Sequence, residues 1–208
     1  LKDVKNDYSI GLAQFFEENF VKQGGEVVAT QAYSEGDTDF KAQLTALKAA
    51  NPEAIIVPGY YTEAALIGKQ ARDLNMMMPI VGGDGWDSAK LIEIGGPAMN
   101  NTYFSTAYSA DDPNPVVQNF VNRFKKLYNE SPDAFAVLGY DAGKILFDAI
   151  GRAGSVEGAM IRDALKATRD FPGVSGVITI DADRNARKPI VIIEVADGKM
   201  KFKETIQP

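Results

Sequence analysis

The feature that most constrains the fold of this chain is the alternation of strand-like and helix-like segments through its first hundred residues. Short runs rich in Val and Ile, such as EAIIVPG at 53–59 and MPIVGG at 78–83, are separated by amphipathic stretches of helical length. Strands that alternate with helices in this way form βαβ units with a parallel sheet. The sequence therefore predicts an α/β fold in which a parallel sheet carries the core.

Hydrophobic periodicity, together with the glycine, proline and capping residues that end helices and strands, predicts the elements of this first part. Helices are expected at about 8–23, 37–52, 62–75 and 87–96, and strands at about 26–33, 53–59, 78–83 and 101–108. Asp87 is the expected N-cap of the fourth helix. The apolar residues expected to face the core of the first two helices are Leu12, Phe15, Phe16, Phe20, Phe40, Leu44 and Leu47.

The alternating pattern of strands and helices ends after Tyr108. The stretch SADDPNP at 109–115 is a polar, proline-containing connector and a candidate hinge. Three helices follow with no strand between them, at about 115–128, 134–153 and 155–167, and Phe120 and Phe124 are expected in their core. The tail predicts strands, with a tight hairpin turn at Asp197-Gly198. Helices without interleaved strands cannot complete a βαβ layer, so we expect this part to be a piece of a second lobe.

Composition excludes several classes of function. The chain has no Cys and no His, which removes thiolate and imidazole metal sites and every catalytic triad that uses His. Its net charge of −6 argues against a nucleic-acid partner. No GxGxxG or P-loop motif occurs, and the DADRN stretch at 181–185 lacks the later residues of a calcium loop, so we expect a turn there and no cofactor or metal.

Four stretches together resemble the periplasmic binding proteins of branched-chain amino-acid ABC transporters: 3–28, 55–75, PIVGGDGWDS at 79–88, and SPDAFAVLGYDAGKILFDAI at 131–150. The resemblance implies a type I fold with two α/β lobes, three crossover strands and a ligand cleft. Residues 1–107 with 189–208 would form the second, flavodoxin-like lobe, and 113–187 the trailing part of the first lobe, with hinges near 107–113 and 181–189. Family members carry a further stretch in front, so we expect the chain to be a fragment that begins inside or just after a strand.

Asp84 is the first candidate ligand-binding residue, because the matching acid in the family binds the ammonium group of an amino acid. A glycine-rich loop with an acid at its tip suits a cation, and Gly82, Gly83 and Gly85 would let the backbone approach closely. The alternative is that Asp84 caps the helix that begins near Asp87.

Aromatic residues supply the other candidates. The family places ligand-contacting tyrosines where Tyr8 and Tyr60 stand, with Tyr61 competing with Tyr60, since a shift of one residue would exchange them. A tyrosine there can offer its ring to an aliphatic side chain and its hydroxyl to a polar end. Trp86 either lines the wall of the ligand cleft or packs beneath the loop and closes it off from the solvent. Phe135 lies in the helix that the family uses to close the pocket from the first lobe, but a core position is the favoured interpretation.

The function implied by the resemblance is non-enzymatic capture of an amino acid, branched-chain by family likeness, for the membrane subunits of an ABC transporter. Hinge closure around the ligand would be the mechanism, and the location periplasmic or extracellular and membrane-associated. Alone, the chain is expected to bind the amino acid weakly or not at all, and its exposed helices to self-associate or to pack on the missing first lobe. A ligand-sensing module of the same fold and a flavodoxin-like enzyme domain are the alternatives.

Overall fold

The structure is a computed structural model that describes residues 1–207. Its helices are α1 Asp7–Lys22, α2 Lys41–Ala49, α3 Tyr61–Asp73, α4 Ala89–Gly95, α5 Pro115–Tyr128, α6 Ala134–Ala153 and α7 Gly158–Lys166. Its strands are β1 Lys2–Asp3, β2 Ala32–Tyr33, β3 Ile55–Ile56, β4 Ile80–Gly82, β5 Thr102–Thr106, β6 Phe171–Gly173, β7 Gly176–Ile180, β8 Ala186–Arg187, β9 Ile190–Ala196 and β10 Lys199–Ile206.

A parallel sheet forms the centre of the first half of the chain, as the alternating pattern predicts. Strands β3, β4 and β5 pair in parallel, with Ile55 opposite Ile80 and Ile80 opposite Thr102. They lie in a five-stranded sheet of order β10-β9-β5-β4-β3. Strands β1 and β2 form a separate parallel pair, and the amino group of Leu1 donates to the carbonyl of Ile56 at 2.9 Å, which links β1 to β3. The α/β class is thereby confirmed.

The predicted strand at 26–33 is shortened to Ala32–Tyr33, and the reason is its pairing register. Lys2 lies opposite Ala32, and the Lys2 amide donates to the carbonyl of Gln31 at 3.0 Å. In this register, residues 26–30 have no strand partner among residues 1–207. A strand is defined by its ladder of hydrogen bonds, so the apolar pattern alone does not extend β2.

The apolar face predicted for the first helix is only partly covered. Phe15 is 65% exposed and Phe20 41% exposed, and Ser9 is the buried residue of α1. The inward placement of these two phenylalanines is therefore wrong here, because β1 and β2 offer only two residues each to pack against. In α2, by contrast, Phe40, Leu44 and Leu47 are buried as predicted.

The chain divides into two compact units. Unit 1 comprises residues 1–105 with 193–201, and unit 2 comprises residues 106–192 with 202–208. The chain passes between the units at 105–106, 192–193 and 201–202. Among residues 1–207, no helix combines the length and apolar character that a membrane crossing requires.

Unit 2 contains helices α5, α6 and α7 and strands β6 to β8, whose antiparallel pairing runs in the order β6-β7-β8. Its core cluster is formed by Tyr108, Val117, Val121, Val137 and Val174. Phe120 packs against this cluster while remaining partly exposed, and Phe124 is likewise only half-buried, so the expectation of two core phenylalanines is met in part.

Local capping residues fix several element ends. Pro115 stands at the start of α5, where its missing N–H costs nothing, and Asp133 caps α6 through the amide of Ala136. Helix α4 is capped by Ser88, whose hydroxyl accepts from the Lys90 amide, so the prediction of Asp87 as its cap is wrong. Asp197 and Gly198 both have positive φ, as the predicted hairpin turn between β9 and β10 requires.

A buried carboxylate ties the β6–β7 hairpin to α6. Asp141 is 3% exposed, and its two oxygens accept from the amide of Val174, the amide of Ser175 and the hydroxyl of Ser175, each at 2.8 Å. A buried charge is tolerated when its lone pairs are taken up by donors in this way. Asp141 therefore orders the turn between β6 and β7 and holds it against α6.

We expect Asp141→Ala to lower the free energy of unfolding of unit 2 by about 2–4 kcal/mol, because it leaves three buried donors without an acceptor. Urea denaturation followed by far-ultraviolet circular dichroism measures the change. Asp163→Ala is the matched control, since the Asp163 side chain is 66% exposed. A loss no larger than that of the control would contradict the role assigned to Asp141.

Candidate functional site

Three loops that follow parallel strands meet at one edge of unit 1. Tyr8 lies in the first turn of α1, after β1; Tyr60 is the N-cap residue of α3, after β3; and Asp84 begins a short 3₁₀ turn, Asp84–Trp86, after β4. The carboxyl ends of parallel strands share an edge of the sheet, which is where open α/β sheets bind ligands. The structure brings these three predicted residues together.

A short hydrogen bond joins two of these loops. The hydroxyl of Tyr8 donates to Oδ1 of Asp84 at 2.6 Å, and the amide of Gly85 donates to the Tyr8 oxygen at 3.1 Å. The first distance is that of a charge-assisted bond from a hydroxyl to a carboxylate. Among residues 1–207, Oδ2 of Asp84 takes no hydrogen bond, and the residue is exposed. One carboxylate oxygen is therefore held in place and the other is accessible.

The environment keeps the Tyr8 phenol protonated. Burial raises the pKa of Tyr8 well above its ordinary value, and the hydrogen bond to Asp84 raises it further. A protonated phenol has one hydrogen to donate, and here that hydrogen goes to Asp84. If the Tyr8 hydroxyl contacts a polar group of a ligand, as expected, it must therefore accept a hydrogen bond from that group.

Tyr60 packs its ring against that of Tyr8, with the ring centroids 5.4 Å apart and the planes inclined at 34°. It is 41% exposed, so its ring covers Tyr8 while leaving surface for a ligand. Tyr61 is the first residue of α3 and is half-buried. Of these two tyrosines, Tyr60 is the one that the structure places against the Tyr8–Asp84 pair.

Trp86 is completely buried, with an exposed fraction of 0%. Its Nε1 donates to the carbonyl of Val57 at 3.2 Å, and its ring lies against Gly82 and near Phe104, at a centroid distance of 6.2 Å. Of the two roles considered for Trp86, walling the cleft and sealing the loop, this burial corresponds to the second. Its indole ring has no surface to offer a ligand in this arrangement.

Phe135 stands apart from the other candidates, as the second residue of α6 in unit 2. It is 71% exposed, so the expectation of a core position is wrong. An open cavity of about 750 Å³ lies within unit 2, between the segment after β5 and the β6–β7 hairpin, and its lining includes Tyr108, Asp170 and Arg187. None of the six candidate residues lines it.

The glycines of the 82–85 loop are required by contacts between loops. A Cβ on Gly83 would come within 2.6 Å of the Tyr8 hydroxyl, and one on Gly85 would come within 2.5 Å of the Gly59 carbonyl and 3.1 Å of the Tyr60 ring. The sequence pattern predicts that these glycines allow the backbone to approach a ligand closely. The structure instead uses them to let Tyr8 and Tyr60 approach the Asp84 backbone.

The alternative role for Asp84, as a helix cap, is taken by Ser88. Sequence reasoning missed another residue of this region, Ser9, which is completely buried directly beside Tyr8 and bonds to the backbone at the ends of two strands. The sequence offered one indication of this role, because Ser9 is a small polar residue between Tyr8 and Ile10 in the first turn of α1.

Chemically, the arrangement presents an exposed carboxylate oxygen beside two aromatic rings, in a loop without a nearby lysine or arginine among its hydrogen-bond partners. Such a site suits a small cation with an apolar body, since the carboxylate attracts the charge and the rings cover aliphatic surface. Among residues 1–207, no cluster of acidic side chains has the geometry to hold a metal ion.

Comparison with known proteins identifies the class. The sequence model of the periplasmic binding protein family matches residues 4–199, so the chain belongs to that family. It is 30% identical over 198 residues to the Leu/Ile/Val-binding protein homolog 3 of Brucella melitensis. It is 31% identical over 177 residues to the Leu/Ile/Val-binding protein BraC3 of Rhizobium johnstonii.

Solved structures give the same result. The leucine-binding protein LivK of Thermotoga maritima superposes with a TM-score of 0.92 at 43% identity, over 100% of this chain and 59% of that one. The substrate-binding protein LivJ of Streptococcus pneumoniae, in complex with isoleucine, superposes with a TM-score of 0.85 at 36% identity, over 99% of this chain and 58% of that one. The predicted family and type of fold are thereby confirmed.

The chain spans about half the length of the curated relatives that it matches. It covers 94% of its own length but 53% of the Brucella protein, and 84% of its own length but 47% of the Rhizobium protein. The chain therefore corresponds to only part of each of these relatives.

We expect Tyr8→Phe to lower the free energy of unfolding of unit 1 by about 1 kcal/mol, because it removes the donor to Asp84 and the acceptor of the Gly85 amide. Urea denaturation followed by the fluorescence of Trp86, the only tryptophan, reports on this unit.

The matched control is Tyr60→Phe, because among residues 1–207 the Tyr60 hydroxyl makes no hydrogen bond. We expect this control to change stability by less than about 0.5 kcal/mol. Equal losses in the two variants would show that the Tyr8 hydroxyl contributes nothing specific to the loop.

Proposed function

We propose that this chain is part of a solute-binding protein that captures a branched-chain amino acid for an ABC transporter, and that unit 1 binds the ammonium group of that amino acid. The observation that carries the proposal is the exposed Asp84 carboxylate, held by the Tyr8 hydroxyl at 2.6 Å beside the ring of Tyr60. Family membership and the isoleucine complex of the Streptococcus relative support the ligand class.

The ammonium of a zwitterionic amino acid would approach Oδ2 of Asp84, since Oδ1 already accepts from Tyr8. A charge-assisted hydrogen bond of this kind contributes about 1.5–3 kcal/mol. The rings of Tyr8 and Tyr60 offer apolar surface to an aliphatic side chain, at positions that do not compete with the carboxylate. Trp86 supports the loop from below and makes no contact with the ligand.

The carboxylate of the amino acid needs several hydrogen-bond donors. Of the three candidate side chains at this edge, only Tyr60 has a hydroxyl that is not already donating, since Tyr8 donates to Asp84, so further donors are required. We infer that these donors come from a first lobe, of which residues 113–187 form the trailing part. Residues 1–107 with 189–208 form the second lobe. The hinges would lie near 107–113 and 181–189. Phe135, exposed at the start of α6, would close the pocket from the first lobe.

Several apolar side chains on α6, α7 and the segment between them are exposed in unit 2, among them Leu146, Phe147, Val156 and Met160. We propose that, in a protein of the length of the relatives, they are covered by the residues of the first lobe. The relatives are nearly twice as long as the matched segment, which leaves enough chain for this purpose. Self-association through the same face is the competing outcome.

Transport of the captured ligand would require the membrane subunits of the transporter, which would recognise the closed form. The family to which the chain belongs is named for the periplasm, and we place the protein there or at the outer surface of the cell membrane. The family consists of binding proteins, and we propose no enzymatic activity. No observation in the structure favours the sensory or the flavodoxin-like enzyme alternative.

We expect the chain to bind L-leucine weakly, with a Kd of about 1 mM or higher, because one lobe alone should supply no more than about 4 kcal/mol of binding free energy. Titration followed by the NMR signals of the Gly85 amide and the tyrosine rings measures this affinity. Asp84→Asn should weaken binding at least about tenfold, since a neutral amide does not attract the ammonium.

The matched control is Asp73→Asn, which makes the same change of charge at an exposed position at the end of α3. This control should bind L-leucine as the unmodified chain does. The proposal fails if Asp84→Asn binds as well as Asp73→Asn. Micromolar binding by the unmodified chain would instead overturn the inference that a first lobe supplies the missing donors.

A further inference from the structure

Two consecutive backbone carbonyls at the end of β3 each accept a hydrogen bond from a buried side chain. Nε1 of Trp86 donates to the carbonyl of Val57 at 3.2 Å, and the hydroxyl of Ser9 donates to the carbonyl of Pro58. Both donors have an exposed fraction of 0%. One dipeptide therefore anchors the first turn of α1 and the loop that follows β4.

Ser9 makes a second bond that extends this anchor to β1. Its hydroxyl oxygen accepts from the amide of Asp3 at 3.0 Å, at the end of that strand. The single hydroxyl thus fixes the first turn of α1 to the ends of both β1 and β3. Its neighbour in the chain is Tyr8, and the amides of both residues donate to Oδ1 of Asn6, so the two move as one turn.

Trp86 plays the corresponding part for the other loop. Its own amide donates to the carbonyl of Gly83 at 3.0 Å, and the amide of Asp87 donates to the carbonyl of Asp84 at 3.0 Å. These bonds close a tight turn in which Asp84 stands two residues before the indole ring. Anchoring the indole on Val57 therefore fixes the height of the Asp84 carboxylate above the strand ends.

The third member of the site follows from the same dipeptide, since Tyr60 comes two residues after Pro58. All three side chains of the candidate site thus depend on one short backbone segment. The Tyr8–Asp84 bond of 2.6 Å joins loops 76 residues apart in the chain, so its length depends on how accurately the loops are held. A binding site must be held to within about 0.5 Å of its working geometry, and buried supporting bonds supply that accuracy.

We propose that Ser9 and Trp86 are positioning residues of the ligand site, which set the distance between Tyr8 and Asp84 by anchoring their loops on the carbonyls of Pro58 and Val57. Neither side chain reaches the surface where a ligand would lie. The link to ligand binding rests on the proposed function, whereas the link to the Tyr8–Asp84 geometry does not.

The amide of Gly85 reports on this geometry without any ligand, because it donates to the Tyr8 hydroxyl. Hydrogen exchange of the 208-residue chain, measured by NMR, gives its rate relative to the amide of Leu44, which donates to Phe40 within α2 of the same unit. Ser9→Ala and Trp86→Phe each remove one anchoring donor. Each should raise the ratio of the Gly85 rate to the Leu44 rate at least about fivefold, and Tyr8→Phe sets the upper limit.

Thr102→Val is the matched control for loss of a buried hydroxyl. The Thr102 hydroxyl is completely buried in unit 1 and donates to the carbonyl of Met99 at 2.7 Å, away from the site. It should accelerate Gly85 and Leu44 together or neither of them. The proposal is overturned if the ratio stays unchanged in Ser9→Ala and Trp86→Phe, or if it rises equally in Thr102→Val.

Titration with L-leucine adds a second reading. Ser9→Ala should weaken binding about fivefold to tenfold although Asp84, Tyr8 and Tyr60 are all present, while Thr102→Val should leave it unchanged. Absence of leucine binding by the unmodified chain would count against the proposed function alone, because the exchange ratio still decides whether Ser9 and Trp86 position the Tyr8–Asp84 pair.

Discussion

The hydrogen bond from Tyr8 to Asp84 is the interaction on which the candidate site depends. It joins the loop after β1 to the loop after β4, and no backbone bond of the central sheet does so directly. The bond gives the carboxylate a fixed orientation with one oxygen engaged and the other exposed. It also explains the loop chemistry, because Gly83 and Gly85 provide the space that Tyr8 and Tyr60 occupy.

Under the proposed function, the recognition of an amino acid is divided between unit 1 and a first lobe. Unit 1 presents an anion and two aromatic rings, which are suited to an ammonium group and an aliphatic side chain. The Tyr8 hydroxyl already donates to Asp84, and under this proposal most donors for a carboxylate come from a first lobe. In a two-lobed binding protein such a division is useful, since a ligand that needs both lobes stabilises the closed form more than the open form.

Features set by local chemistry could be predicted from the sequence. The bounds of α5 and α6 follow from Pro115, Asp133 and Gly154, which act within one turn of the helix ends. The candidate residues after β1, β3 and β4 could be found because parallel strands bring their ends together. Family resemblance, rather than spacing, pointed to Asp84 among the many acids of the chain.

Features set by distant partners could not be predicted in this way. The predicted strand at 26–33 is longer than the observed one, because the length of a strand depends on the residues that pair with it. The exposure of Phe15 likewise depends on which residues pack against α1. The depth of Trp86 depends on the Val57 carbonyl, 29 residues earlier in the chain. The role of Ser9 could not be predicted for the same reason, since its partners at the ends of β1 and β3 come together only in the folded protein.

The most direct test of the central claim, that unit 1 recognises the ammonium group, compares two analogues of leucine that each lack one charged group. 3-Methylbutylamine keeps the ammonium, and 4-methylpentanoate keeps the carboxylate. The account predicts that the amine shifts the NMR signals of the Gly85 amide and the Tyr8 ring in a saturable way, and that the acid leaves them unchanged up to the same concentration. Saturable shifts with 4-methylpentanoate and none with 3-methylbutylamine would contradict it.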